Sequence, residues 1–210
     1  INISNRVGER RQFEIEVEDA TGSNDPEAPV VLLGDQRGPY TLQDYISIPD
    51  YKFEIDSGVR ARIPVTVSVP RDAEPGGRYG SVLVKTVALK SRGNDGKAQS
   101  PIVARIGTLF FVTVPGEVSK VGEAVDFTTI PKRAWYQTGP ITLGVAFENT
   151  GQLHLAPYGE IRIFNLLNEE VGWLELDPWF VLPGATRLRE VVWDREALFG
   201  RYRAVLKLNR

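Results

Sequence analysis

Gly76-Gly77-Arg78-Tyr79-Gly80-Ser81-Val82-Leu83 and Gly200-Arg201-Tyr202-Arg203-Ala204-Val205-Leu206 carry the same tripeptide, Gly-Arg-Tyr, each time feeding an apolar run. Upstream of each copy the same parts recur in the same order. An Asn turn (Asn5, Asn149) precedes an alternating strand (Phe13 to Val17, Ile161 to Ile163). A Pro-aromatic run follows (Pro49, Tyr51, Phe53; Pro178, Trp179, Phe180), then a Gly turn with arginines (Gly58, Arg60, Arg62; Gly184, Arg187, Arg189). Shared order with little identity is the trace of a duplicated all-β module. It predicts two tandem Ig-like β-sandwiches, residues 1–115 and 116–210, meeting at Pro115-Gly116.

Length agrees with that division, since 210 residues suit two modules of about 100 each. Each is large enough to bury a core without covalent staples. Formal net charge is −2 with both signs interleaved, whereas a nucleic-acid footprint needs a segregated basic face. Cysteine and methionine are absent, so neither a disulfide framework nor a thiolate metal site can form. No apolar stretch has the length of a membrane span, and the strand-like start at Ile1-Asn2-Ile3 reads as an excised piece of an exported precursor. On that reading any anchor lies outside this chain.

Strand signals dominate. Phe13, Ile15 and Val17 alternate with Glu14, Glu16 and Glu18, giving one dry and one wet face. Ile63, Val65, Val67 and Val69 alternate around Pro64, which suggests an edge or a bulge. Leu143, Val145 and Phe147 give a third case, and Tyr202, Ala204, Leu206 and Leu208 a fourth. Asn94-Asp95-Gly96 predicts a hairpin turn before a long apolar strand that ends at Val114. Helical signal is confined to Leu42–Ile46, with Thr41 as N-cap, and to one turn over 194–199. Between Val17 and Pro49 the first module carries a long Gly-, Pro- and Asp-rich segment absent from the second, a loop insertion of the length often used for function.

Catalytic signals are weak. The single histidine, His154, lies between leucines with no serine beside it, and one imidazole supplies only one metal ligand. Glu14, Glu16 and Glu18 share a face, the pattern of a solvated surface rather than of a catalytic carboxylate pair. Gly76 to Gly80 lacks the Lys-Ser/Thr and the helix that phosphate cradling requires. No enzyme, cofactor or metal site is expected. Trp173, Trp179 and Trp193 read as core. Trp135 and Tyr136, in the turn-rich stretch from Pro131 to Pro140, read as exposed aromatic faces, able to stack on a sugar or a partner. In the first module Tyr40 and Tyr45 are the best contact candidates, in the loop Gly34 to Ile46.

Pro70, Ala73, Gly76-Gly77 and Gly80 between two strands resemble the N-terminal domain of WxL-interacting proteins. Asn149-Thr150-Gly151, Pro183-Gly184 and Gly200-x-Tyr202 resemble that family's Ig-like C-terminal domain. The resemblance implies an exported, membrane-held bacterial surface protein whose domains bind peptidoglycan and partner proteins. The expected function is therefore non-enzymatic binding or scaffolding at the cell envelope, on cell-wall glycan or another surface protein. Tyr40, Tyr45, Trp135 and Tyr136 are the expected contacts, with self-association possible through an incomplete sandwich edge. A second resemblance gives the alternative. Two Ig-like modules joined after a long apolar strand, Arg105 to Val114, are similar to periplasmic pilus chaperones, which lend a strand to an incomplete subunit. A third option, a glycan-cleaving enzyme, would need two carboxylates about 5 to 10 Å apart in a concave site.

Overall fold

Asn5 and Asn149, the two turn asparagines of the repeat, are almost wholly buried, and each ties its unit together in the same way. In this computed structural model, which describes residues 1–26, 28–87 and 104–209, the Asn5 side-chain amide donates to Glu9 O and Ile55 O, both at 2.8 Å. Its Oδ1 accepts Val7 N at 3.1 Å, and its backbone exchanges bonds with Gly58 N (2.9 Å) and Val59 O (3.1 Å). The Asn149 amide likewise donates to Leu153 O (2.9 Å) and Val181 O (2.8 Å), and Oδ1 accepts Gly151 N at 3.0 Å. Its backbone pairs with Gly184 N (2.8 Å) and Ala185 O (3.0 Å). Gly58 and Gly184 turn the chain at φ of 75° and 73°, a region closed to most side chains.

The pairing of strands repeats as well. Up to residue 116, β1 (Asn2–Ser4) is followed by β2 (Arg11–Gly22), β3 (Val30–Leu32), β4 (Ile46–Ser47), β5 (Lys52–Ile55), β6 (Arg60–Arg62), β7 (Thr66–Val67), β8 (Gly76–Val87) and β9 (Arg105–Val114). The second unit contains β10 (Gly122–Ile130), β11 (Ile141–Asn149), β12 (Tyr158–Phe164), β13 (Glu170–Leu176), β14 (Thr186–Trp193) and β15 (Arg203–Asn209). β1 pairs with β6 as β11 pairs with β14. β2 is flanked by β5 and β8 as β12 is flanked by β13 and β15. All these pairs are antiparallel. The two copies of Gly-Arg-Tyr thus mark corresponding strands, but Gly77-Arg78-Tyr79 lies inside β8, paired with β9, whereas Gly200-Arg201-Tyr202 precedes β15. Among the described residues β9 has no counterpart in the second unit, and β10 has none in the first.

The protein is all-β, in tandem β-sandwich units. By contacts the chain divides into residues 1–21 with 32–116, and residues 22–31 with 117–210. In the first, Ile15, Leu42, Ile46, Ile48 and Val82 form the buried centre, with Phe110 and Val112 packed against it. In the second, Leu143, Val145, Phe147, Ile161, Ile163, Trp179 and Val181 pack between the sheets β10-β11-β14 and β13-β12-β15. Burying each such side chain contributes about 1.5–3 kcal/mol, which is why the alternation of period two decides the register.

Several local expectations change on folding. The segment 17–49 is not a plain loop insertion, because β2 runs on to Gly22 and the chain returns through β3, a 3-10 turn (Gln43–Tyr45) and β4. Thr41 does not cap that turn. The cap comes from the fully buried Asp19, whose Oδ1 accepts Leu42 N and Gln43 N at 2.9 Å while Oδ2 accepts Gly38 N at 3.0 Å. Residues 194–199 are not helical. Pro64 splits its strand into β6 and β7. Trp173 is 53% exposed rather than core, because its position in β13 is opposite Arg162, on the wet face, where its indole donates to Glu160 at 2.9 Å. Asn94-Asp95-Gly96 lies outside the described residues.

Replacing Asn149 by Ala takes the amide donor from Leu153 O and the acceptor from Gly151 N, and leaves Val181 O with the Leu155 N bond alone, at a cost of about 2–4 kcal/mol. Differential scanning calorimetry of Asn149→Ala should show Tm lowered by roughly 10 °C or more. An unchanged Tm would show that the tie is dispensable.

Candidate functional site

β9 is an apolar strand with one edge in use. Its ten residues pair with β8 in antiparallel register from Lys85↔Arg105 to Gly76↔Val114, and among the described residues no strand lies on its other side. An open edge presents unpaired N–H and C=O groups to any extended chain that approaches it. Edges are usually blunted by charge or proline, yet Ile106-Gly107-Thr108-Leu109-Phe110-Phe111-Val112 has neither. Ile106 is 73% exposed and Leu109 41%, on opposite faces.

The inward face of β9 lines an apolar groove. Ile106 and Thr108 form one wall, with Ile1, Ile3, Phe13 and Val84 opposite and beneath, around a space of about 580 Å³. At the other end of the strand Phe110 and Val112 turn inward and join the core. β9 is thus anchored at its C-terminal half and accessible at its N-terminal half.

Charge holds the accessible half in place. Glu14, Glu16 and Glu18 project from the outer face of β2 and are paired with cations rather than with one another. Glu14 binds Lys52 (3.1 Å) and Lys85 (3.0 Å), and Lys85 also pairs with Glu16. Arg105, the first residue of β9, reaches across β8 to Glu16 (3.2 Å) and pairs with Glu18. Hydrogen bonding from Lys85 is the chief cause that holds both Glu14 and Glu16 below the ordinary glutamate range. Gly107 leaves room for the side chains of β8, since a Cβ there would meet Leu83 Cδ2 at 2.7 Å and Ser81 Oγ at 3.0 Å.

The four aromatic candidates fall in two places. Tyr40 and Tyr45 lie in the first unit and are half-buried. The Tyr40 ring stands edge-on to Tyr79 at 5.9 Å, and Tyr45 packs against the core. Tyr40 O accepts Tyr79 N at 2.9 Å, so the 40–42 segment takes over beside β8 where β2 leaves it. Their rings are engaged in packing. Trp135 and Tyr136 lie in the second unit, in a groove with Trp193, Tyr202, Arg133 and Arg201. Trp135 is 80% exposed, while Tyr136 packs on the core and donates its hydroxyl hydrogen to Pro131 O. His154 is half-buried, and desolvation lowers its pKa. Among the described residues no group of three acidic, His or Cys side chains could hold a metal ion. Ile106 and Leu109 escaped individual notice in the sequence, although an unbroken apolar run without lysine or proline was the signal for an unguarded edge.

No family model matches the chain, and no curated protein matches it. Among solved structures, a chain of the chaperone–tip adhesin complex of CFA/I fimbriae biogenesis is 11% identical, with a TM-score of 0.48 over 98% of this chain and 89% of that one. The class 5 fimbriae chaperone CfaA is 10% identical, with a TM-score of 0.47 over 98% and 90%. A chain of the CsuC–CsuE chaperone–tip adhesion subunit pre-assembly complex, from the archaic chaperone-usher Csu pili of Acinetobacter baumannii, is 12% identical, with a TM-score of 0.43 over 99% and 88%. These neighbours come from fimbrial chaperone assemblies, not from wall-bound scaffolds. The reading of the chain as an envelope scaffold on cell-wall glycan is corrected on that finding.

The ion ladder has a definite pH signature. Because Glu14 and Glu16 titrate lower in the folded chain than in the unfolded one, their stabilisation is complete above the ordinary glutamate value, about 4.3. It is lost as pH falls through their lowered values. Thermal unfolding of the wild type and of Lys85→Met, followed between neutral and strongly acidic pH, should differ at neutrality and converge only once the pH has fallen below the lowered values of Glu14 and Glu16. A difference that persists in acid would assign the effect to packing of the lysine stem.

Proposed function

We propose that this chain is a non-catalytic, exported chaperone of the pilus type that completes a partner protein by strand addition through β9. The observation that carries the reading is the edge of β9, unpaired among the described residues, with Ile106 beside an apolar groove and Leu109 exposed on the opposite face. Main-chain bonding along such an edge supplies affinity, and alternate side chains entering the partner supply specificity. The partner this edge fits is a sandwich that lacks one strand and exposes the matching apolar slot.

Fixing the edge in advance serves that role. The ladder from Lys52 to Glu18 sets the position of Arg105, and the aromatic and aliphatic residues 110–112 hold the other end. The strand is therefore extended before the partner arrives, which lowers the ordering cost of association. The two glycine-led strands β8 and β15 are framework on this reading.

A fimbrial subunit lacking its final strand, and the same subunit with that strand restored by fusion, supply the test. The chain should hold the incomplete subunit soluble in a one-to-one complex and ignore the completed one. Ile106→Asp combined with Leu109→Asp should weaken the complex by about 100-fold or more, since each charge replaces a buried apolar contact worth about 1.5–3 kcal/mol. Equal binding of both subunit forms, or full retention by the double variant, refutes strand addition.

A further inference from the structure

The second unit carries a separate apolar surface at one end. Trp135, Leu166, Leu167 and Phe199 are 80%, 70%, 78% and 79% exposed. They stand on three connections, 131–140 between β10 and β11, 165–169 between β12 and β13, and 194–202 between β14 and β15. All three lie at the end of the unit opposite the Asn149 turn, because each preceding strand runs away from it. Their neighbourhood is fixed by contacts. Gly139 N donates to Glu196 O at 3.0 Å, and Arg203 donates to Asn168 Oδ1 at 2.8 Å. Leu166 Cδ1 lies 3.2 Å from where a Cβ of Gly200 would stand.

Basic residues surround the apolar ones. Over these three connections and Arg203 there are five cations, Lys132, Arg133, Arg195, Arg201 and Arg203, against Glu169, Asp194 and Glu196, in a chain whose net charge is −2. Among the described residues no hydrogen bond or ion pair engages the side chains of Lys132, Arg133 or Arg201. On β2 and its neighbours, by contrast, Lys52, Lys85 and Arg105 are all paired.

We propose that this end of the second unit docks on an anionic lipid bilayer, with Trp135, Leu166, Leu167 and Phe199 entering the headgroup region and the free cations meeting lipid phosphates. Tryptophan and aliphatic tips flanked by arginine and lysine are the chemistry of the membrane interface. The charge complements an anionic leaflet, where each nearby basic residue adds about 1 kcal/mol. A protein partner bound by strand addition fits less well, because three separate turns offer no strand edge to extend. The proposal concerns the second unit and does not depend on strand addition by β9.

Flotation of the whole chain with vesicles of equimolar phosphatidylglycerol and phosphatidylcholine, and with phosphatidylcholine alone, tests it. Binding is expected to the anionic vesicles only, to weaken with salt, and to shift tryptophan emission to the blue. The shift should disappear in Trp135→Phe. Arg133→Glu with Arg201→Glu should reduce binding by at least about tenfold, and Leu166→Ser with Leu167→Ser should also lower it. No binding to anionic vesicles overturns the proposal. So does a blue shift that survives Trp135→Phe, or binding indifferent to charge reversal.

Discussion

One buried asparagine in each unit sets the frame on which the remaining strands are hung. A primary amide offers two donors and one acceptor on a short stem, so a single side chain can close its own turn and clamp a segment tens of residues away. Asn5 joins the 5–9 turn to Ile55 and Gly58, and Asn149 joins the 149–153 turn to Val181 and Gly184. Aspartate has no donor for the carbonyls and leucine has neither group. The same bonds at corresponding places give the internal repeat a physical meaning that scattered sequence identity lacks.

Asp19 performs the other long-range organisation in the first unit. Where β2 separates from β8, its buried carboxylate collects three backbone amides from residues 38–43 and brings the 40–42 segment alongside Tyr79. The outer face of the same strand carries Glu14, Glu16 and Glu18, whose ion pairs extend from β5 to β9. Inner and outer faces of β2 thus both fix neighbours. β9 inherits a defined position while, among the described residues, its far edge stays open, the combination that strand addition requires.

The two units put their exposed apolar surface in different forms. In the first it is a strand edge with an adjoining groove, suited to an extended polypeptide. In the second it is a set of turn tips amid free cations, suited to a surface that has no backbone of its own. Elsewhere in the second unit Trp173 is bonded to Glu160 and Glu169 to Asn165.

The all-β class, the duplicated order of parts and the inward faces of β2, β11 and β15 were legible in the sequence, because period-two alternation and turn chemistry act over a few residues. The exposure of Trp135, in a stretch bounded by Pro131 and Pro140, was legible for the same reason. Tertiary structure alone decided which face of β13 meets the core, and so placed Trp173 in solvent. It also decided that Asp19 rather than Thr41 caps the Gln43–Tyr45 turn, and that Tyr40 and Tyr45 are engaged in packing. Among the described residues it left one edge of β9 unpaired, and it brought the 194–202 connection to Gly139 and to Leu166. Each of these depends on partners distant in sequence, whose approach no local pattern encodes.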